Sequence, residues 1–158
     1  MDSFQPVIDE LESKKSANTD KKIDRSLCGL LKLFRALNEM GVEPALVDEE
    51  LKGLKSQLHE PLQPRLLNRT YHVVTTKLRK EKNIVTPNYY QTLWMSLGMT
   101  IFGLPFGLVF SAALDNMAFF AIGLPIGMPI GMAIGINLDK KAREEGRALV
   151  YPNEPKVL

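Results

Sequence analysis

The feature that most constrains this chain is a pair of long uncharged segments in its second half. No Lys, Arg, Asp or Glu occurs in residues 83–114 or 116–138, and Asp115 stands alone between them. About 20 apolar residues, each rising 1.5 Å along a helix, cover the roughly 30 Å hydrocarbon core of a bilayer. The two segments therefore predict two membrane-spanning helices joined by a turn at Asp115 and Asn116.

One short sequence motif occurs in both segments. The sequence GLPFG begins at Gly103, and GLPIG begins at Gly123. Counting outward from the turn puts both copies near the bilayer midplane, with Gly107 level with Gly123 and Gly103 level with Gly127. Level glycines let two antiparallel backbones approach closely, which favours helix packing in lipid. The residues expected to pack the helices are Gly103, Gly107, Gly123, Gly127, Gly131 and Gly135.

The second segment contains more glycine than one helical hairpin requires. Residues four apart on a helix advance by about 400°, so a stripe with that spacing drifts about 40° around the helix at each step. One part of the stripe is then expected to face the first helix, and the rest a second copy of the chain. The pattern thus predicts a homo-oligomer. Prolines are expected to break helical hydrogen bonds in both segments, at Pro105, Pro125 and Pro129.

Average composition hides this organisation. The mean hydropathy of -0.07 and the 24% of charged residues are typical of a soluble protein. The Lys and Arg residues, however, all lie on either side of the uncharged region. This split predicts three regions. They are a cytoplasmic helical domain at 1–86, a transmembrane hairpin at 87–139 with spans at about 90–114 and 117–138, and a basic cytoplasmic tail at 140–158.

The first region has the pattern of a small helical bundle. Residues 4–12 predict a short helix, and the polar residues 13–20 predict a linker. Stronger helical periodicity follows from Lys21, with a cap at Thr19 or Asp20 and an end at Gly41. Two further helices are expected to begin at about Pro44 and Arg65, with a break at 60–64. The predicted fold class is therefore all-α, a bundle followed by an antiparallel two-helix hairpin.

Basic residues flank the uncharged region on both sides, and the turn between the two segments has none. Positive charge marks the cytoplasmic side of a membrane, so both termini are predicted to be cytoplasmic. Thr86 and Pro87 are expected to cap the first spanning helix. The N-terminus has no features of a signal peptide, so insertion is expected to depend on the hairpin. The residues expected to anchor this topology are Trp94, Lys140, Lys141 and Arg143.

No motif in the chain indicates a reaction. His59 and His72 have no Cys or carboxylate at metal-ligand spacing, and Cys28 is expected to behave as a small hydrophobic residue. A net charge of +2 without a basic, aromatic-rich patch argues against nucleic acid as a partner. The chain is therefore expected to be no enzyme and to bind no cofactor or metal.

From residue 103 to residue 139 the glycine spacing resembles that of small bacterial glycine-zipper proteins. That resemblance implies a tightly packed, oligomeric hairpin in a bacterial inner membrane. The leading hypothesis is a non-enzymatic membrane protein that self-associates and anchors or scaffolds a helical module with an unknown cytoplasmic protein partner. The alternative is a pore-forming or membrane-permeabilising effector gated by its cytoplasmic domain, in which proline-freed carbonyls would line a lumen.

Overall fold

A computed structural model describes residues 3–59 and 61–151 of the chain. Within these ranges the protein is all-helical and has no strand, which confirms the all-α prediction. Short 3-10 turns lie at Pro44–Val47 and Met117–Phe119. The helices are α1 (Gln5–Ala17), α2 (Lys21–Glu39), α3 (Asp48–His59), α4 (Pro64–Lys82), α5 (Tyr89–Ala113) and α6 (Phe120–Glu144).

The helices fall into two compact units. The first unit contains α1 to α4 together with Leu149, Val150 and Tyr151. The second unit is Thr86–Ala148 and contains α5 and α6. The chain therefore leaves the first unit, forms the second, and returns to the first.

The first unit is held together by one apolar core to which α1, α2, α3 and α4 all contribute. Apolar residues recur three or four positions apart on α2, so one face of that helix is buried. The rings of Phe4 and Phe34 pack with their centroids 5.6 Å apart and join the start of the chain to α2. The largest fully buried side chains are Phe4, Phe34, Leu11, Leu27, Leu30, Leu33, Leu37, Leu54, Leu58, Leu67, Leu78 and Val7.

The ends of α2 are closed by the residues that the sequence indicated. The Asp20 carboxylate accepts a hydrogen bond of 2.8 Å from the backbone N–H of Lys22. Gly41 adopts a positive φ of 65°, a conformation that glycine reaches without strain. Pro64 begins α4 one residue before the expected start, since a proline in the first turn loses no helical hydrogen bond.

The linker expected at residues 13–20 is wrong, because most of it is helical. The first helix continues to Ala17, so the connection to α2 is very short. Glu12 forms an ion pair with Arg35 of α2, which holds this part of α1 against its neighbour. Lys14 and Lys15 lie in the last turn of α1, where positive charge favours the helix C-terminus.

The division into domains also differs from the predicted one. Residues 140–144 continue α6, and Leu149 is buried in the core of the first unit. The Leu149 N–H donates a hydrogen bond of 2.9 Å to the carbonyl of Val85. Residues 140–144 and 149–151 of the predicted basic tail thus belong to the folded units, and the cytoplasmic location of that tail stays a prediction. The rest of that predicted tail, 152–158, lies outside the described residues.

An ion pair joins α3 to α4 on the surface of the first unit. The Lys77 ammonium donates to both oxygens of Glu50, at 3.2 and 3.1 Å. Hydrogen bonding to Glu50 raises the pKa of Lys77 above its ordinary value of 10.5. A raised lysine pKa means that the pair stabilises the fold fully below the unfolded-state pKa and loses that effect as pH rises through the folded-state pKa.

We expect Glu50→Gln to lower the midpoint of thermal unfolding of the full chain at pH 7, because the Lys77 ammonium loses its charged partner. The difference from the wild type should shrink as pH rises above 10.5 and Lys77 loses its proton. Circular dichroism melts across that range measure both effects. Lys52→Gln is the control, since the Lys52–Asp48 pair is exposed and such pairs contribute little. A difference that persists unchanged at high pH would contradict the assignment.

Candidate functional site

The outer surface of α5 and α6 is apolar along both helices. Only 17% of the most apolar stretch of α5 and 24% of that of α6 is buried. A core helix of a soluble protein would be mostly buried, whereas these two expose large side chains. Both helices are long and apolar enough to cross a membrane. Their exposed large side chains include Ile101, Leu104, Phe106, Leu108, Val109, Phe110, Ile122, Ile126, Ile130 and Ile136.

Glycines fill the contact between the two helices. We call this contact the glycine interface, formed by Gly98, Gly103, Gly107, Gly123, Gly127, Gly131 and Gly135. A Cβ atom added to a glycine of this interface other than Gly103 would approach a backbone atom of the other helix to less than 3.0 Å, a distance that real Cβ atoms essentially never show. Gly103 itself is the backbone that a Cβ atom on Gly123 or Gly127 would meet. The absence of side chains at these positions is therefore what allows the two backbones to touch.

The glycines pair in antiparallel order. Gly123 lies against Gly107 and Gly103, and Gly127 lies against Gly103 and Gly98. Later positions on α6 thus meet earlier positions on α5. The structure brings together the glycines that the residue count placed at the same depth.

The expectation that part of the α6 stripe faces away from α5 is wrong. Gly131 lies against the backbone of Trp94, and Gly135 lies against Tyr90 and Gln91. Two helices that cross in a right-handed sense compensate for this 40° drift. A stripe with four-residue spacing can then contact the same neighbouring helix along its whole length. All four glycines of the α6 stripe therefore contact α5 of the same chain.

A wide turn in α5 keeps its glycines on the contact face. Gly98 and Gly103 are five residues apart, and the segment between them is a π-helical turn, Met99–Gly103. A π turn accommodates one additional residue, so both glycines face α6. Proline is not sufficient to cause it, because Pro125 and Pro129 lie inside α6 without a π turn. We infer that the five-residue spacing requires the wide turn.

Deletion of Thr100 is expected to convert this turn to regular α-helix and to leave the glycine pairing intact. Its effect on unfolding free energy should stay within about 1 kcal/mol, whereas deletion of Leu104 should cost about 3 kcal/mol. The second deletion places Phe102 instead of Gly103 against Gly127. Trp94 is the single tryptophan of the chain and lies in α5, so its fluorescence in detergent reports unfolding of the pair. Equal effects of the two deletions would contradict the register argument.

A carboxylate joins α5 to α6 at the end of the helix pair that lies opposite the Asp115–Asn116 turn. Asp139 is only 6% exposed, and its two oxygens accept hydrogen bonds from the backbone N–H groups of Tyr90 (3.0 Å) and Gln91 (2.8 Å). These are second and third residues of α5, the positions that an N-cap side chain normally satisfies. The negative charge also favours the positive end of the helix dipole. We call this contact the Asp139 cap.

The cap expected from Thr86 and Pro87 is therefore wrong. The residue that precedes α5 is Asn88, which has a positive φ of 57° and whose side chain makes no capping hydrogen bond. Asp139 accepts the N–H groups of Tyr90 and Gln91, and the Tyr89 N–H donates to the Thr86 carbonyl, so a local side-chain cap is not needed.

Further polar contacts surround the Asp139 cap within the second unit. An Arg143 guanidinium nitrogen donates to the Asn88 side-chain oxygen at 3.3 Å. Glu145 and the Tyr90 hydroxyl together raise the pKa of Arg147 above its ordinary value. Of the other expected anchors, Lys140 and Lys141 are exposed and Trp94 is half-buried. Polar and aromatic groups thus gather at this end of the pair.

We expect Asp139→Ala to destabilise the pair by about 2 kcal/mol, because two N–H groups lose a charged acceptor. Asp139→Asn should cost about half as much, because the carboxamide oxygen still accepts one bond. Denaturant unfolding followed by Trp94 fluorescence measures both. Asn137→Ala is the matched control, since the Asn137 side chain is exposed and donates to a carbonyl of its own helix. An Asp139→Ala protein as stable as Asn137→Ala would contradict the cap.

Sequence reasoning missed two members of this site. Gly98 was missed because it lies five residues before Gly103, outside the four-residue period. Asp139 enters the sequence prediction only as the last residue of the hairpin at 87–139. A signal for it was present, since Asp139 follows Gly135 by four residues and extends the same spacing.

The expected helix-breaking prolines lie outside the glycine interface. Pro105, Pro125 and Pro129 are all exposed, and α6 continues through two of them. Contact between backbones fills the space between α5 and α6. Along these described contacts, α5 and α6 of one chain therefore leave no space for a lumen.

The described part of the first unit carries no cluster of three or more His, Cys, Asp or Glu residues that could hold a metal ion. Its surface depressions include three open ones of about 340 to 450 Å³. One of them contains the half-buried Cys28 beside Lys32, Arg35 and Glu12. The expectation that the chain is no enzyme stays a prediction.

Comparison of the chain with protein-family models, curated proteins and solved structures finds no match. The resemblance to glycine-zipper proteins consequently stays a prediction from the sequence.

Proposed function

We propose that the chain is a non-enzymatic integral membrane protein in which α5 and α6 form a transmembrane hairpin that anchors a cytoplasmic helical bundle. The observation that carries this proposal is the distribution of side chains on the pair. Large apolar side chains cover its outside, and backbone-to-backbone glycine contacts fill its inside. In water such a surface would drive aggregation, whereas in lipid it is the expected arrangement.

The fold supports a topology in which both ends of the hairpin lie on one side of the membrane. Val85 precedes α5 and Leu149 follows α6, yet they are hydrogen-bonded within one unit. Chain segments that share a folded core cannot be separated by a bilayer. The exposed Lys140 and Lys141 at the end of α6 favour the cytoplasm for that side.

Several finer expectations stay predictions from the sequence. They are the bacterial inner membrane, the unknown cytoplasmic protein partner and self-association. The α6 glycines that suggested self-association are buried against α5, so a second copy would have to bind the outer faces of the pair. The pore alternative also stays a prediction, and its lumen would have to lie between several copies of the hairpin, because the prolines are exposed on the outer surface of the pair.

The test combines extraction with site-specific labelling in cells. The protein should stay in the membrane fraction after washing with alkaline carbonate. In a Cys28→Ser background, Met117→Cys should react with an impermeant maleimide in intact cells, because Met117 is 80% exposed at the turn. Val150→Cys, also exposed, should react only after permeabilisation. Release by carbonate would overturn the membrane proposal, and labelling of both cysteines from the same side would overturn the hairpin.

A further inference from the structure

The last described residues complete the first unit. Leu149 is 3% exposed within its core, and Tyr151 packs against that core from outside. The Tyr151 hydroxyl lies 2.7 Å from the hydroxyl of Tyr71 in α4, so the two form a hydrogen bond. Val150 between them is 56% exposed. This alternation shows that residues 149–151 are held by specific contacts along one side.

These contacts depend on two segments that are distant in sequence. All of Thr86–Ala148 separates Val85 from Leu149. The Asp139 cap shortens this connection, because Tyr90 is five residues after Val85 and Asp139 is ten residues before Leu149. The entropy cost of closing a loop rises with its length, and this shortening favours closure by at most roughly tenfold.

We propose that residues 149–151 are a latch through which the first unit is stabilised by the pairing of α5 with α6. When the helices are paired and the Asp139 cap is formed, the loop to be closed is short. Leu149 then lies close to Val85, and Tyr151 lies close to Tyr71. When the pair is open, the same residues sit at the end of a long unclosed loop, and the core of the first unit lacks Leu149. The proposal requires the helix pair and does not depend on its location in a membrane.

Hydrogen–deuterium exchange of the full chain in detergent micelles tests the latch, with peptides from residues 64–85 as the readout. Leu149→Ala should speed exchange there more than tenfold, because a buried side chain is lost. Tyr151→Phe should speed it a few-fold, because it removes only the hydroxyl. Val150→Ala is the matched control and should match the wild type. If Leu149→Ala unfolds the unit altogether, the comparison of Tyr151→Phe with Val150→Ala decides the result.

Coupling to the helix pair is tested with Asp139→Ala, which leaves every contact of the first unit in place. It should speed exchange over residues 64–85 by up to roughly tenfold, whereas Asn137→Ala should not. Exchange in Asp139→Ala equal to that in Asn137→Ala would overturn the coupling. Exchange in both Leu149→Ala and Tyr151→Phe equal to that in Val150→Ala would overturn the latch itself. Neither outcome would bear on membrane insertion, which carbonate extraction measures separately.

Discussion

The close approach of two backbones is the interaction on which the second unit depends. In lipid, where we propose that this pair lies, no hydrophobic effect brings apolar helices together, so their contact must come from packing and polar bonds. Seven glycines supply the packing, and Asp139 supplies the polar bonds at one end. With the inside of the pair made of backbone, its large side chains are free to cover the outside.

This division of roles explains several local features of α5. The wide turn at Met99–Gly103 exists because the helix carries one residue more than regular spacing allows between two contact glycines. The start of α5 has no side-chain cap of its own, because the end of α6 provides one. Both features are determined by the neighbouring helix and not by the local sequence.

Features that depend on local sequence could be predicted, and features that depend on a neighbouring helix could not. The starts of α2 and α4, helices with a strong apolar period, agree with their predicted starts to within one residue, because burial of one face dominates their placement. The glycine pairing was also accessible, since counting from Asp115 needs only the rise per residue. Three features could not be predicted by counting residues along a helix. They are the contact of Gly131 and Gly135 with α5, the π turn and the burial of Leu149, and all three depend on contacts between segments that are distant in the sequence.

The return of the chain to its first unit has a consequence for the order in which the protein is made. Synthesis proceeds from the N-terminus, and domains generally begin to fold as they emerge. Leu149 follows α6, so the first unit cannot reach its final core before both apolar helices have left the ribosome. Until then, the core of the first unit lacks the Leu149 side chain, and α5 and α6 have time to pair. Completion of the fold therefore comes last, and it occurs only in chains translated past the second apolar helix.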